Sequence, residues 1–220
     1  MPSRTDRADL ALKSCFALFV AIIALSMATD SRAADDPAKE KDFVPMFNGK
    51  DFTGWRFTGG KEEENIAHAN WKVEGGVIQL TGGGKPHLAS ESEYADFEMR
   101  FEWRALNDKY NSGFFIRSGK NVGSNQLNLA KGSEGAFING KVTAAPGSKD
   151  PKGVPDLQKK PGEWNEWRVV VVGDKISFHC NGQLAWEATG LKPDRGYIGL
   201  QAEGAAMEFR NLRIREIKKP

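Results

Sequence analysis

An all-β, two-sheet antiparallel sandwich is the fold class this sequence predicts, on three observations. Turn signals recur at short intervals: Asn48-Gly49, Gly75-Gly76, Gly82-Gly83-Gly84, Asn139-Gly140, Gly173-Asp174 and Asn181-Gly182. The runs between them alternate with period two or are continuously β-branched. Helical periodicity is almost absent. Roughly ten to twelve short strands in one domain must bury one face of each strand against a second sheet.

The elements follow in chain order. Arg4, Arg7 and Lys13 precede the apolar run Cys15 to Ala28, and "SRAAD" follows it. This is the three-part pattern of a secretory signal peptide over residues 1–33, with the cut between Ala33 and Ala34. The run is too short for a bilayer span of about 20 residues, so the mature chain is expected to carry no membrane span. Cys15 stands at the start of the apolar run and not after it, which does not fit a lipidated cysteine. Residues 34–42, "ADDPAKEKD", are charged and lack aromatics, as a flexible leader does. One domain, 43–220, remains.

Within it, "WKVE-GG-VIQL" is expected to form a hairpin. "FEMRFEWR" points Phe97, Met99, Phe101 and Trp103 one way and Glu98, Arg100, Glu102 and Arg104 the other. "NSGFFIR" follows after the link "ALNDKYN", so the two runs are expected to pair, with Arg117 beside the polar face of Phe97–Arg104. "NQLNL" sets Gln126 and Asn128 on one face and Leu127 and Leu129 on the other. Ala144 to Trp164 is rich in Gly, Pro and Lys and reads as a long functional loop. "WRVVVV" (Trp167 to Val172) is apolar on both faces and is expected to be covered on both sides. "KISFHC-NG-QLAWEA" is a hairpin around Asn181-Gly182. "YIGLQ" and "MEFRNLRIREI" close the chain.

Composition excludes several functions. The chain carries 31 Lys+Arg against 29 Asp+Glu. Residues 1–33 take four and three of these, so the remainder is nearly neutral and has no basic block for nucleic acid or anionic lipid. One cysteine, Cys180, remains after cleavage, so no intrachain disulfide is expected. One Cys with three scattered His (His68, His87, His179) matches no zinc pattern, and no loop has calcium-ligand spacing. No metal and no cofactor is expected. No Gly-x-Ser-x-Gly, His-Glu-x-x-His or phosphate loop is present. His68 and His87 read as plain loop residues and His179 as structural.

What remains is polar groups on a sheet face. Glu102, Arg104, Arg117, Gln126 and Asn128 are expected to share one surface, with Glu134 of "GSEG" in the following loop and Asn111 at the bend. Amides, an arginine and a carboxylate supply the paired donors and acceptors that sugar hydroxyls require. Trp55, Trp71 and Trp186 are candidates to stack on sugar rings, while Trp164 and Trp167 read as core.

Five separated motifs carry a resemblance: "FVPMFNGKDFTGW", "YADFEMRFEWR", "NSGFFIRSG", "GEWNEWRVVVVGDKISFHCNGQLAWE" and "GYIGLQAEGAAMEFRNLRIREI". Together they resemble the 3-keto-disaccharide hydrolase domain. The resemblance implies a concanavalin A-like jelly roll, the lectin and glucanase type, in an exported protein. It also implies hydrolysis of a di- or oligosaccharide oxidised at C3. The C3 ketone acidifies the C2 hydrogen, a base removes it, the glycosidic oxygen leaves from C1, and water adds back. On that scheme Glu102 or Glu134 is the base, and Arg117 serves the oxyanion or a hydroxyl. Many family members carry Glu-x-Gln after the "NSG…R" strand. Here Gln126 stands at the glutamate and Asn128 at the glutamine, and a glutamine cannot act as a base. A non-catalytic carbohydrate-binding module on the same fold, and a structural surface domain, are the alternatives.

Overall fold

Alternation of apolar and polar residues sorts the side chains of each long strand between a shared interior and an outer face. The computed structural model describes residues 41–59, 70–204 and 206–218. Asp42–Pro220 forms one compact unit. The residues of the expected signal peptide, 1–33, and His68 lie outside the described residues, and no helix among those described is long and apolar enough to cross a membrane.

Among the described residues the strands are β1 (Val44–Pro45), β2 (Trp55–Thr58), β3 (Trp71–Glu74), β4 (Val77–Leu80), β5 (His87–Tyr94), β6 (Phe97–Ala105), β7 (Gly113–Ser118), β8 (Gln126–Asn128), β9 (Phe137–Ile138), β10 (Thr143–Ala144), β11 (Asn165–Val172), β12 (Lys175–Cys180), β13 (Gln183–Thr189), β14 (Gly196–Leu200) and β15 (Met207–Glu216). A nine-stranded sheet has the order β10-β13-β12-β11-β6-β15-β4-β3, with β1 on β15. A six-stranded sheet has the order β2-β5-β14-β7-β8-β9. All pairings are antiparallel, and the architecture is a jelly-roll sandwich. Both expected hairpins form, with Glu74 opposite Val77 and Cys180 opposite Gln183.

The core lies between the sheets. Phe97, Met99, Phe101 and Trp103 of β6 are buried, as are Phe114 and Ile116 of β7. The Phe101 and Phe114 rings approach to 4.5 Å between centroids. They meet across the sandwich, because β6 and β7 belong to opposite sheets. The expected pairing of these two strands is therefore wrong. Both edges of β6 are taken, by β11 and β15, and the intervening link is long enough to carry the chain over to the other sheet.

Two further expectations change. β11 alternates between buried and half-buried positions, and Val172 is 42% exposed, so its second face is an outer one. Trp55, Trp71 and Trp186 are 5%, 6% and 1% exposed, so all three are core residues and none is a stacking platform. Their indole N–H groups donate to the Met46, Pro86 and Gly135 carbonyls. Trp167 is core as expected, whereas half-buried Trp164 packs against the guanidinium groups of Arg104 and Arg210, at 4.6 and 4.0 Å from its ring centroid.

The outer face of the nine-stranded sheet is a lattice of arginines and glutamates. Glu98, 1% exposed, accepts from Arg100 at 2.9 Å, Arg168 at 2.5 Å and Arg215 at 2.6 Å. Burial pushes the Glu98 carboxyl up, but hydrogen bonds and charge from Arg168 and Arg100 outweigh it and hold the group at about 2. A carboxylate held below its unfolded value contributes stability that is complete above the unfolded pKa of 4.5 and disappears as pH falls toward 2. Denaturant melts should therefore lose about 2–3 kcal/mol between pH 5 and pH 2 on account of this group, and Glu98→Gln should flatten that slope. An equal slope in the variant would assign the acid sensitivity elsewhere.

Candidate functional site

The register sets two rows of side chains across the outer face of the six-stranded sheet. One runs Thr58, His87, Gln201, Gly113, Asn128. Thr58 is opposite His87 and Gly113 opposite Asn128, while Gln201 continues β14 beyond Leu200. The next runs Arg56, Ala89, Gly199, Phe115, Gln126, Ile138. Neither row contains an Asp or Glu.

A chain of amides ties this face together. Asn139 Nδ2 donates to Gln126 Oε1 at 2.8 Å, and Gln126 Nε2 donates to Gln201 Oε1 at 2.8 Å. The Ser112 carbonyl lies 3.5 Å from the same Gln126 nitrogen, which fits that end of the amide as the donor. Gln126 is 1% exposed and its polar groups are engaged, so it works as a link. Its acceptor is spent on Asn139 and its donor on Gln201, which leaves the Gln201 amide N–H₂ as the outward donor of the chain.

Glycine at 113 makes this route possible. Gln126 sits on β8 and Gln201 follows β14, with β7 between them. The Gln126 side chain lies flat across Gly113, where an added Cβ would overlap its amide. Gly113→Ala should cost about 1–3 kcal/mol through that overlap. An unchanged thermal midpoint would mean that the amide has another place to go.

His87 borders Gln201. Its Nδ1 accepts from the Ala202 backbone N–H at 3.1 Å, and its ring stands 5.7 Å from that of Phe115. Burial, and secondarily the Lys85 charge, push its pKa below the usual value of 6.5. The ring is neutral at pH 7, and with Nδ1 accepting, the proton sits on Nε2. That nitrogen has no partner among the described residues. His87 is thus a half-buried donor on the first residue of β5, not the plain loop residue expected. The signal for it lies in "HLAS", where His87 and Ala89 share one side of the strand and Leu88 the other.

The expected site residues separate into four places. Gln126, Asn128 and Asn111 lie on or beside this face. Asn128 Nδ2 donates to Ser133 Oγ at 2.8 Å, and the Asn111 backbone carbonyl accepts from Gly204 N–H at 2.7 Å. Glu102 and Arg104 lie on the opposite side of the sandwich. Glu102 accepts from Arg210 at 2.7 Å and Asn211 at 2.6 Å, and Arg104 pairs with Glu208 at 2.6 Å. Glu134, 2% exposed, is inside, where Tyr110 O–H donates to its Oε1. Burial, and then that carboxylate, push the Tyr110 hydroxyl up. Neither expected base presents its carboxylate on the amide face, because the strand of Glu102 belongs to the other sheet and the loop of Glu134 turns that side chain inward.

Arg117 is also corrected. It is fully buried, donating from Nε to the Ala95 carbonyl at 2.7 Å, from Nη1 to those of Gly173 at 2.6 Å and Pro193 at 3.5 Å, and from Nη2 to Asp96 Oδ1 at 2.9 Å. Strict alternation would set it outward with Gly113 and Phe115. Its φ of +42° breaks that alternation, and its side chain plugs the end of the sandwich instead. An open depression of about 570 Å³ lies at that same end, lined by Asp96, Asp174, Lys192, Asp194, Arg195 and Glu216 among others. No group of three or more metal-ligating side chains occurs among the described residues.

Comparison with known proteins agrees with the architecture. A candidate glycosyl hydrolase from Parabacteroides distasonis superposes with a TM-score of 0.60 at 20% identity, over 84% of this chain and 98% of that one. A carbohydrate-binding module from Bacillus subtilis does so at 0.50 and 18%, over 74% and 96%. A 3-keto-disaccharide hydrolase of Bacteroides thetaiotaomicron is 23% identical over 236 aligned positions, covering 81% of this chain and 80% of that protein. Residues 42–215 match the family model of the 3-keto-alpha-glucoside-1,2-lyase-like domain, and the chain belongs to that family.

Proposed function

We propose that this chain takes a 3-keto glycoside on the outer face of its six-stranded sheet and loosens the C2 proton by donating to the C3 oxygen. The observation that supports this is that two N–H donors, His87 Nε2 and the Gln201 amide, belong to neighbouring residues of one row, on a face whose two rows carry no carboxylate. Enolate charge on the C3 oxygen would find neutral donors and no competing anion. As the C2 proton passes to a base, the C1–O bond breaks and the leaving alkoxide takes up a proton. Water then adds across the C1–C2 double bond to complete a hydrolysis. On this reading Asn111 and Asn128 meet sugar hydroxyls, while Gln126 acts through Gln201.

The lack of a carboxylate in the two rows favours a second reading, sugar binding without cleavage. Incubating residues 34–220 with 3-ketotrehalose in D₂O tests both. Glucose release with deuterium entering at C2 supports the first. Saturable binding with no C2 exchange supports the second, and absence of binding sinks both. Export belongs to the proposal as well: the secreted chain should begin at Ala34, which mass spectrometry of the culture supernatant would read.

A further inference from the structure

The segment 119–124 is a strap that crosses the outer face of the six-stranded sheet from β7 to β2. Its root is fixed at Ser118, whose Oγ accepts from Gly123 N–H at 3.0 Å and Ser124 N–H at 3.1 Å. Its middle is fixed by Val122, 8% exposed, which packs with Ala89, Phe115 and Tyr197. Gly199 lies beneath: an added Cβ there would come within 3.0 Å of Val122 Cγ1 and 2.7 Å of the Leu88 carbonyl. Its far side is fixed on β2. Thr58 Oγ1 donates to Asn121 Oδ1 at 3.0 Å, and Arg56 donates to the Lys120 carbonyl. The Arg56 guanidinium in turn lies 4.6 Å from the Tyr197 ring centroid.

The strap fills the space above Ala89 and Phe115 and stands as a wall beside the row of His87, in which His87, Gln201 and Asn128 are half-buried. At the β2 end, Asn121 is bonded to Thr58, the last residue of that row. Neighbouring strands lie about 4.8 Å apart, so only about one sugar-ring width separates His87 from the closed end. At the other end the row runs on past Gly113 to Asn128, which is half-buried.

We infer that strap 119–124 is the specificity-determining element of this face: it blocks extension on the β2 side of His87, so the oxidised ring must be a chain terminus, with the rest of the glycoside lying toward Asn128. The inference rests on the sugar-site reading above. It takes a terminal 3-keto pyranose as ligand and rejects a 3-keto ring inside a longer chain.

Calorimetry with two probes tests it: a disaccharide oxidised at C3 of its non-reducing ring, and a trisaccharide of the same sugars oxidised at C3 of its middle ring. Wild type should bind the disaccharide and hold the trisaccharide at least about 30-fold more weakly. A variant with Asn121→Gly and Val122→Gly should narrow that ratio to under about 5-fold. Should it fold poorly, Asn121→Ala keeps the Val122 plug, opens only the β2 end, and should narrow the ratio in the same direction. Equal affinities in wild type would overturn the strap while leaving the sugar site standing, as would a ratio that neither variant moves. Binding of neither probe would overturn both.

Discussion

Arg117→Ala is expected to lower the unfolding free energy by about 3–5 kcal/mol, a large share of the 5–15 kcal/mol that holds a domain of this kind together. The guanidinium sits in the end of the sandwich with no exposure, with Nε and Nη2 on the Ala95–Asp96 turn and Nη1 on the Gly173 and Pro193 carbonyls. Removing it leaves the Ala95 carbonyl without that donor, weakens the ties at Gly173 and Pro193, and takes a cation from buried Asp96. Asp96 would keep the Gly173 N–H at 2.9 Å. Each orphaned buried acceptor costs about 1–3 kcal/mol. Arg117→Lys keeps the charge but cannot reach three directions from one nitrogen, so it should recover less than half of the loss. Urea melts monitored by tryptophan fluorescence measure this. A loss below about 1 kcal/mol would mean that these loops hold their places without the guanidinium. The consequence for function is direct: reduced activity in an Arg117 variant reports stability, not contact with a sugar.

His87→Ala should slow exchange of the C2 proton of a 3-keto disaccharide by about 100-fold, the usual effect of losing one donor to a developing oxyanion. Affinity should change less than about 5-fold, since a ground-state ketone gains little from the same bond. His87→Gln should restore part of the rate, because its amide can supply an N–H from nearly the same position. The thermal midpoint should move little, as the ring is half-buried and gives up one hydrogen bond, that from Ala202. Deuterium incorporation followed by NMR separates the outcomes. An unchanged exchange rate would remove His87 from the reaction and leave it as a packing partner of Phe115.

The alternation in Phe97–Arg104 and the turn dipeptides made the sandwich legible from the chain alone. The faces of β6 and β8 came out as expected because alternation is a local property with a period of two. Gln126 and Asn128 were therefore correctly set on one face. Arg117 failed by the same rule: one residue in the left-handed region reverses the alternation, and nothing in "FFIR" announces it. Glu102 failed differently. Its face was right, but its sheet was not, because local pattern says nothing about which strand edge pairs with which. Glu134 failed because a loop glutamate can turn inward when a tyrosine 24 residues earlier in the chain is folded back to meet it. His87 was missed because its character comes from burial and from the Ala202 N–H, which reach it only in the folded chain.

The sequence by itself determined the class of fold, the two faces of its strands and the family to which the chain belongs, since these rest on periodicity and on motifs in linear order. The tertiary structure alone decided which polar residues share a surface. That depends on strand pairing across the sandwich, which set Glu102 and Arg104 on one side, Gln126 and His87 on the other, and Arg117 between loops as a tie. It depends also on Gly113 and Gly199, whose missing side chains let an amide and a strap lie against the sheet.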